Sequence, residues 1–324
     1  VVLYLRNFLI FLSNMIYDLA IIGGGPAGIS AGVYAARKRL RTVLVAESVG
    51  GQSTESAGVE NWIGTIKISG IDLSKTLEQH LRAYAENTVD IKLGYRVTKL
   101  SKKDGLFVVE TPKETYEAKT VLVATGSTRR KLEIPGAKEF ENKGITYCAS
   151  CDGPLFAGAD VVVIGGGNAG FESAAQLLAY ANSVTILNRS DILKADEMTV
   201  ESVLKNPKAK LIKNAIPKEV IGDKFVTSLI YTDQTTGEDK ELKATGIFVE
   251  IGLVPTTGFV DEGVTELNTY KQIVVDPKNQ RTKTDGLWAA GDCTDGLFHQ
   301  NNIASGDAVK ALEDIYLYVH NQKN

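Results

Sequence analysis

Residues 16–28 read IYDLAIIGGGPAG. Tyr17–Ile22 is a short apolar run with β-branched residues, the pattern of a buried strand. Gly23-Gly24-Gly25-Pro26-Ala27-Gly28 follows, and then ISAGVYAARKR (29–39), whose apolar residues recur at helical spacing. TVLVAES (42–48) is β-rich again and carries Glu47 near its end. Strand, GxGxxG, helix, strand and acid in that order make a dinucleotide-binding unit. Gly23 permits the tight turn, Gly25 lets the main chain approach a pyrophosphate, and Gly28 lets helix pack on strand. Glu47 accepts hydrogen bonds from an adenosine ribose.

The device recurs. Residues 159–190, ADVVVIGGGNAGFESAAQLLAYANSVTILNRS, again give strand, Gly165-x-Gly167-x-x-Gly170, helix and strand. The helix N-terminus offers free N–H groups and a positive dipole end to a pyrophosphate. An internal repeat of this kind means two dinucleotide sites in one chain.

Between the two copies lies CASCDG (148–153), which holds two of only three cysteines. A zinc site needs about four ligands. Here the third cysteine is Cys293, and His80, His299 and His320 are scattered singly, so no metal site is expected. Framework disulfides belong to small, cysteine-rich secreted domains, which a 324-residue chain is not. What remains is a redox-active dithiol, the usual meaning of CxxC beside an α/β pattern. A dithiol between two dinucleotide sites suggests an electron relay. One of the two cofactors is then a flavin, which exchanges hydride with nicotinamide and electrons with thiols.

The length suggests about two domains. With 44% hydrophobic and 23% charged residues the chain can bury ordinary cores, and the net charge of −3 comes without any basic run. Nucleic-acid binding is therefore not expected, because it needs clustered Lys and Arg. VVLYLRNFLIFLS (1–13) is apolar but interrupted by Arg6 and Asn7. It falls short of the ~20 residues that span a bilayer, so membrane attachment is not expected. Met15, directly before the first strand, reads as the natural start, with 1–14 as an upstream extension.

Three further stretches assign the sites. VLVATGS (121–127) is a buried strand ending at Thr125-Gly126, placed to close over the first nucleotide. GLWAAGDCTD (286–295) ends a strand at Gly291-Asp292, where a carboxylate can hold a polyol. GIFVEIGLVPTT (246–257), with Ile251 and Gly252, follows the second site in the same way.

Taken with GGQ (50–52), VENWIG (59–64) and HQNN (299–302), these motifs are similar in order and spacing to the low-molecular-weight thioredoxin reductases, over nearly all of the chain from Tyr17. The resemblance implies an α/β fold of two Rossmann-like domains, the NAD(P)H domain inserted in a discontinuous FAD domain. The expected boundaries are 1–128 and 259–324 for FAD and 129–258 for NAD(P)H with the CxxC. It implies that Gly23, Gly25, Pro26, Ala27, Gly28 and Glu47 hold the ADP half of FAD. Gly51, Gln52, Asn61, Val97, Thr125 and Gly126 would lie along the same cofactor. Gly291 and Asp292 would hold its ribitol chain, and Gln300 and Asn301 would reach the ring. His299 stands where the family usually has arginine.

For the second cofactor the resemblance implies Gly165, Gly167, Asn168, Ala169, Gly170, Ile251 and Gly252. Asn188, Arg189, Ser190 and Lys194 occupy the segment that distinguishes NADPH from NADH. In the family the second cysteine of the pair faces the flavin and the first meets the partner, giving Cys151 and Cys148 those roles. Asp152 would act as acid and base for a departing thiolate. Cys293 is expected to be a buried, inert thiol.

The expected activity is FAD-dependent reduction of a thioredoxin-like protein disulfide by NADH or NADPH in the cytoplasm, by a homodimer. The alternatives are the NADH-dependent reductase of a peroxiredoxin system, a flavin dithiol oxidase, and a non-catalytic sensor. The GGGNAG loop speaks against the oxidase, which needs no second nucleotide.

Overall fold

The computed structural model describes residues 15–55, 59 and 61–321, and at 55, 150 and 151 the main chain alone. The reading of 1–14 as an extension lies outside the described residues. The chain divides into two compact units: one runs through Thr54, from Val59 to Thr128 and from Val254 onward, and the other is built on Arg129–Leu253. Each has its own apolar clusters.

The first unit begins with β1 (Ile16–Ile22), α1 (Pro26–Arg37), β2 (Thr42–Ala46), α2 (Gly70–Ala85) and β3 (Val89–Leu93). β1 lies parallel to β2, with Ile22 beside Val45, and β2 lies parallel to β3. β2 is buried on both faces, as a sheet covered by helices requires. A hairpin-linked trio follows: β4 (Lys99–Lys103), β5 (Leu106–Glu110) and β6 (Thr115–Val123). β6 alternates buried and exposed residues where it pairs antiparallel with β5, then becomes continuously buried beside β1. The sheet order is β3-β2-β1-β6-β5-β4. The chain leaves through β7 (Ser127–Arg129).

In the second unit, β8 (Ile145–Thr146) leads to α3, the single turn Ala149–Asp152. β9 (Asp160–Ile164), α4 (Asn168–Leu177), β10 (Ser183–Leu187), α5 (Glu197–Leu204) and β11 (Ala209–Ile212) form the nucleotide-binding half. β12 (Ala215–Gly222), β13 (Val226–Asp233) and β14 (Asp239–Lys243) make an antiparallel sheet of their own. β15 (Gly246–Val249) returns to the main sheet, whose order is β11-β10-β9-β15-β8. Every pairing in that sheet is parallel. All five carboxyl ends therefore share one edge, with the strand order reversing between β9 and β15. Ligands of open α/β sheets bind at such a switch point.

The chain comes back through β16 (Leu253–Pro255), which pairs with β7. The return falls at Leu253/Val254, five residues ahead of the boundary expected at 258/259, because the outgoing and returning segments are bonded as one ribbon. β17 (Leu287–Ala289) then adds to β6 in parallel, and α6 (Asn301–Asn321) packs on α1. Trp288 is fully buried under this packing, and its indole N–H donates to Asp314 at 2.9 Å. A helix of the first unit is thus supplied by the far end of the sequence. No helix of the described residues is long and apolar enough to cross a membrane.

Candidate dinucleotide and dithiol sites

The loop after β1 explains each of its glycines by steric contact. Gly23 has φ +123, and a Cβ there would sit 2.2 Å from the Ala124 carbonyl oxygen. A Cβ on Gly28 would lie 1.9 Å from the Gly23 carbonyl oxygen, while one on Gly25 would meet nothing within 4 Å. Gly23 and Gly28 are therefore demanded by the fold. Gly25 faces open space, and it is the extended N-cap of α1 with no side chain capping the helix. Pro26 occupies the first turn, where its missing N–H costs nothing. The remaining N–H groups of that turn are available to an anion.

The loop after β9 repeats this arrangement. A Cβ on Gly165 (φ +136) would lie 2.1 Å from the Glu250 carbonyl oxygen, and one on Gly170 would lie 1.9 Å from the Gly165 oxygen. Gly167 again has nothing within 4 Å and again is an extended, side-chain-free N-cap, here of α4. Both loops thus provide a cradle that any side chain would fill, a fit for the pyrophosphate of a dinucleotide. An expected result follows for the first. Gly25→Val should leave unfolding unchanged within a few degrees while abolishing flavin retention, measured by absorbance per chain. Gly28→Ala should instead cost stability, at least the ~1–3 kcal/mol of ordinary overpacking, because main-chain atoms must move.

Several predicted residues of the first unit converge beside this loop. Gly51 places its Cβ position 3.4 Å from the Gly25 Cα, and Gly50 N–H donates to the Gly24 carbonyl. Gln52 Nε2 donates to the Ser127 carbonyl. Thr125 Oγ1 donates to the Thr256 carbonyl at 2.7 Å, and Thr256 N–H donates to the Gly126 carbonyl at 3.0 Å. A Cβ on Gly291 (φ +76) would lie 3.2 Å from the Ala304 Cβ of α6 and 3.5 Å from the Ala27 Cβ of α1. Glu47 is exposed directly beyond β2. Val97 is different: its side chain belongs to the core with Tyr17 and Val123, so only its main chain is free to meet a ligand.

Asn61 Nδ2 donates to Gln300 Oε1 at 2.7 Å, although 239 residues separate them. Asn301 Oδ1 accepts from Ser53 Oγ at 3.0 Å. Asn302 accepts from the Ile63 N–H and donates through Nδ2 to the Asn61 carbonyl at 2.5 Å. Ser53 and Asn302 are not expected from the sequence, where their positions next to Gln52 and Asn301 are the only signal.

His299 Nδ1 lies 3.5 Å from Asp292 Oδ1. The hydrogen bond to Asp292 raises the His299 pKa above its ordinary 6.5, against the opposing effect of burial. The charged contact is thus complete below about 6.5 and is lost as pH rises through the elevated value. Ring-proton NMR should show His299 titrating above 6.5, and Asp292→Asn should bring it down. Cys293 is fully buried, and burial pushes its thiol up to about 11. A thiol so placed presents little thiolate near neutral pH.

In the second unit, Cys148 follows β8 and is disulfide-bonded. Its N–H donates to Thr146 Oγ1 at 3.3 Å, its carbonyl accepts from the Asp152 N–H at 3.1 Å, and the Thr146 hydroxyl donates to the Asp152 carboxylate. Thr146, the last residue of β8, therefore ties the first cysteine to the predicted acid. The side chain of Cys151 lies outside the described atoms. The thiol turn leaves the same sheet edge as the Gly165 loop, with β15 alone between their strands. Among the described residues no His, Cys, Asp and Glu group could hold a metal.

Asn188 is buried, not presented to solvent. Its Nδ2 donates to the Ser190 and Ile192 carbonyls at 2.8 and 2.9 Å. Arg189 and the Lys194 side chain are exposed. Asn168 Oδ1 accepts from the Asp196 N–H at 2.8 Å, closing the turn over α4. Ile251 and Gly252 follow Glu250 beyond β15, where Gly252 takes φ +102 and accepts from the Arg130 N–H.

The comparisons with known proteins agree with this geometry. Residues 17–308 match the pyridine nucleotide-disulphide oxidoreductase family. A Bacillus subtilis protein named NADH dehydrogenase is 42% identical over 94% of this chain and 58% of its own length. A component of the Staphylococcus epidermidis alkyl hydroperoxide reductase is 40% identical over 94% of this chain and 59% of its own. The chain thus spans about three fifths of these curated relatives. Among solved structures, Lactococcus lactis thioredoxin reductase superposes with TM-score 0.79 at 35% identity, covering 94% of this chain and 99% of that one. Thioredoxin reductase of T. acidophilum gives 0.76 at 38%, with the same coverage. The second unit inserted in the first and the nucleotide loops built alike accompany this match over residues 17–308, and the chain belongs to the pyridine nucleotide-disulphide oxidoreductase family.

Proposed function

We propose that the chain carries electrons from NADH or NADPH, through FAD and a Cys148–Cys151 dithiol, to the disulfide of a small protein. The observation that carries this reading is the placement of the Cys148 turn on the carboxyl edge of the second nucleotide sheet, one strand from its phosphate loop. A structural disulfide has no reason to occupy a ligand-binding edge. FAD, bound at the first loop, supplies the exchange between nicotinamide hydride and a disulfide.

The chain's own residues then have separate tasks. The Gly25 and Gly167 loops bind the pyrophosphates. Cys148, half-buried, attacks the partner's disulfide as thiolate, forming a mixed disulfide and releasing one partner thiolate. Cys151 attacks Cys148 Sγ in turn, freeing the second partner thiolate and restoring the internal disulfide. Asp152, held by Thr146, gives a proton to the departing thiolate. A homodimer in the reducing cytoplasm fits this chemistry, and sedimentation tests the dimer.

Thioredoxin is the first partner to try, because the solved relatives are thioredoxin reductases over nearly their full length. The alkyl hydroperoxide reductase names among the curated relatives favour a second reading, in which the electrons serve a peroxide-reducing system. Anaerobic turnover with NADH decides, using oxidised thioredoxin in one arm and an oxidised peroxiredoxin-system disulfide in the other. Absence of disulfide-dependent consumption of NADH and, in a parallel run, of NADPH in both arms would sink the proposal.

A further inference from the structure

Glu250 stands where β15 ends, at the switch point of the second sheet, and its main-chain oxygen closes against Gly165 of the phosphate loop. Its carboxylate is buried, with 9% of the side chain exposed. Ser173, from the second turn of α4, donates to Oε1 at 2.7 Å. Arg129 Nη1 reaches both carboxylate oxygens, at 3.2 and 3.1 Å. Burial raises the pKa of Glu250, and the exposed Glu172 on α4 adds to that, while Arg129 and Ser173 oppose it. Arg129 is thus the positive charge paired with this buried carboxylate.

Only one nitrogen of the guanidinium is engaged by Glu250. Nε and Nη2 make no hydrogen bond among the described residues, and the side chain is 32% exposed. Such a group, fixed at one end and open at the other, is poised to bind. The sheet order says which part of a dinucleotide it meets. β10 and β15 flank β9 on opposite sides. The adenosine ribose belongs at the end of β10 and the pyrophosphate at the loop after β9. The other half of the ligand must then lie over β15, beside Glu250.

Resting on the reading of the second loop as a nicotinamide site, we propose that Arg129 binds the nicotinamide-ribosyl half of the dinucleotide, with Glu250 and Ser173 as the residues that position it. Glu250 acts through Arg129 and does not itself touch the ligand.

The test uses the full-length FAD-loaded protein, titrated calorimetrically with NAD⁺ and, separately, with ADP. Arg129→Lys is the informative variant, because an ammonium can hold both Glu250 oxygens as Nη1 does yet has no planar donors left over. It should unfold as the parent does and bind ADP equally, while NAD⁺ binding weakens about tenfold, the loss of roughly one charge-assisted contact. Glu250→Gln still accepts from Ser173 but frees Arg129, and should show the same selective loss. Parental NAD⁺ binding in Arg129→Lys would overturn the proposal, as would parallel loss of NAD⁺ and ADP in both variants. If the parent protein itself binds neither ligand, the nicotinamide reading of the unit fails, and the proposal falls with it.

Discussion

Serine at position 148 or 151 is expected to reduce protein-disulfide turnover to the level of an enzyme-free control, with FAD content unchanged. In the proposed relay both sulfurs are needed, since the electron pair would leave the chain only by converting one disulfide into another. Serine oxygen cannot form that bond, so no partial activity is expected from either variant. Neither replacement should endanger the fold. A ring closed between residues 148 and 151 contributes about 2 kcal/mol of chain entropy at most, against a total stability of roughly 5–15 kcal/mol. The turn is also held independently, by the Asp152 N–H on the Cys148 carbonyl and by Thr146 on both. Flavin absorbance per chain, thermal unfolding and NADH-driven disulfide reduction, measured on the same preparation, separate the chemical effect from a structural one. Substantial turnover in either variant would remove the dithiol from the pathway.

What the sequence made legible was whatever rests on local sterics. Gly23, Gly28, Gly165 and Gly170 are fixed by contacts within their own loops or with an adjacent strand, so the pattern alone conveys them. Patterning also betrayed β1, β2 and β9, which are apolar runs because both sheet faces are covered. The inserted arrangement was visible only through resemblance, because nothing in the residues near 128 or 254 announces that β7 and β16 pair. Long-range polar ties were less accessible still. Asn61–Gln300, Ser53–Asn301 and Arg129–Glu250 join residues 239, 248 and 121 positions apart, and each partner taken alone resembles an ordinary surface residue. Thr146 illustrates the same limit at short range. A threonine ending a strand is unremarkable until the turn brings its hydroxyl between Cys148 and Asp152.

The choice between NADH and NADPH follows from the residues at the end of β10. NADPH-specific thioredoxin reductases carry His-Arg-Arg-x-x-x-Arg here, whereas this chain has Asn188-Arg189-Ser190 and Lys194. Asn188 closes the turn on itself through the Ser190 and Ile192 carbonyls, and the Ser190 hydroxyl is used on Ile192 as well, at 3.0 Å. Neither side chain is therefore free to donate to a 2′-phosphate. Arg189 and Lys194 remain, both exposed, and lysine lacks the planar fork that grips a phosphate. Each missing charge-assisted contact forfeits about 1.5–3 kcal/mol, and every 1.4 kcal/mol is about tenfold in binding. The loss of one arginine and the weakening of another should thus remove the usual NADPH advantage. NADH gains no dedicated acid on its ribose, so its own preference should be modest. Steady-state kinetics should give kcat/KM for NADH equal to that for NADPH or up to about tenfold higher. A Ser190→Arg variant should restore a second fork and raise NADPH use about tenfold, leaving NADH nearly unchanged. A hundredfold preference of the parent protein for NADPH would mean that Arg189 and Lys194 hold the phosphate unaided, and this account of the turn would be wrong.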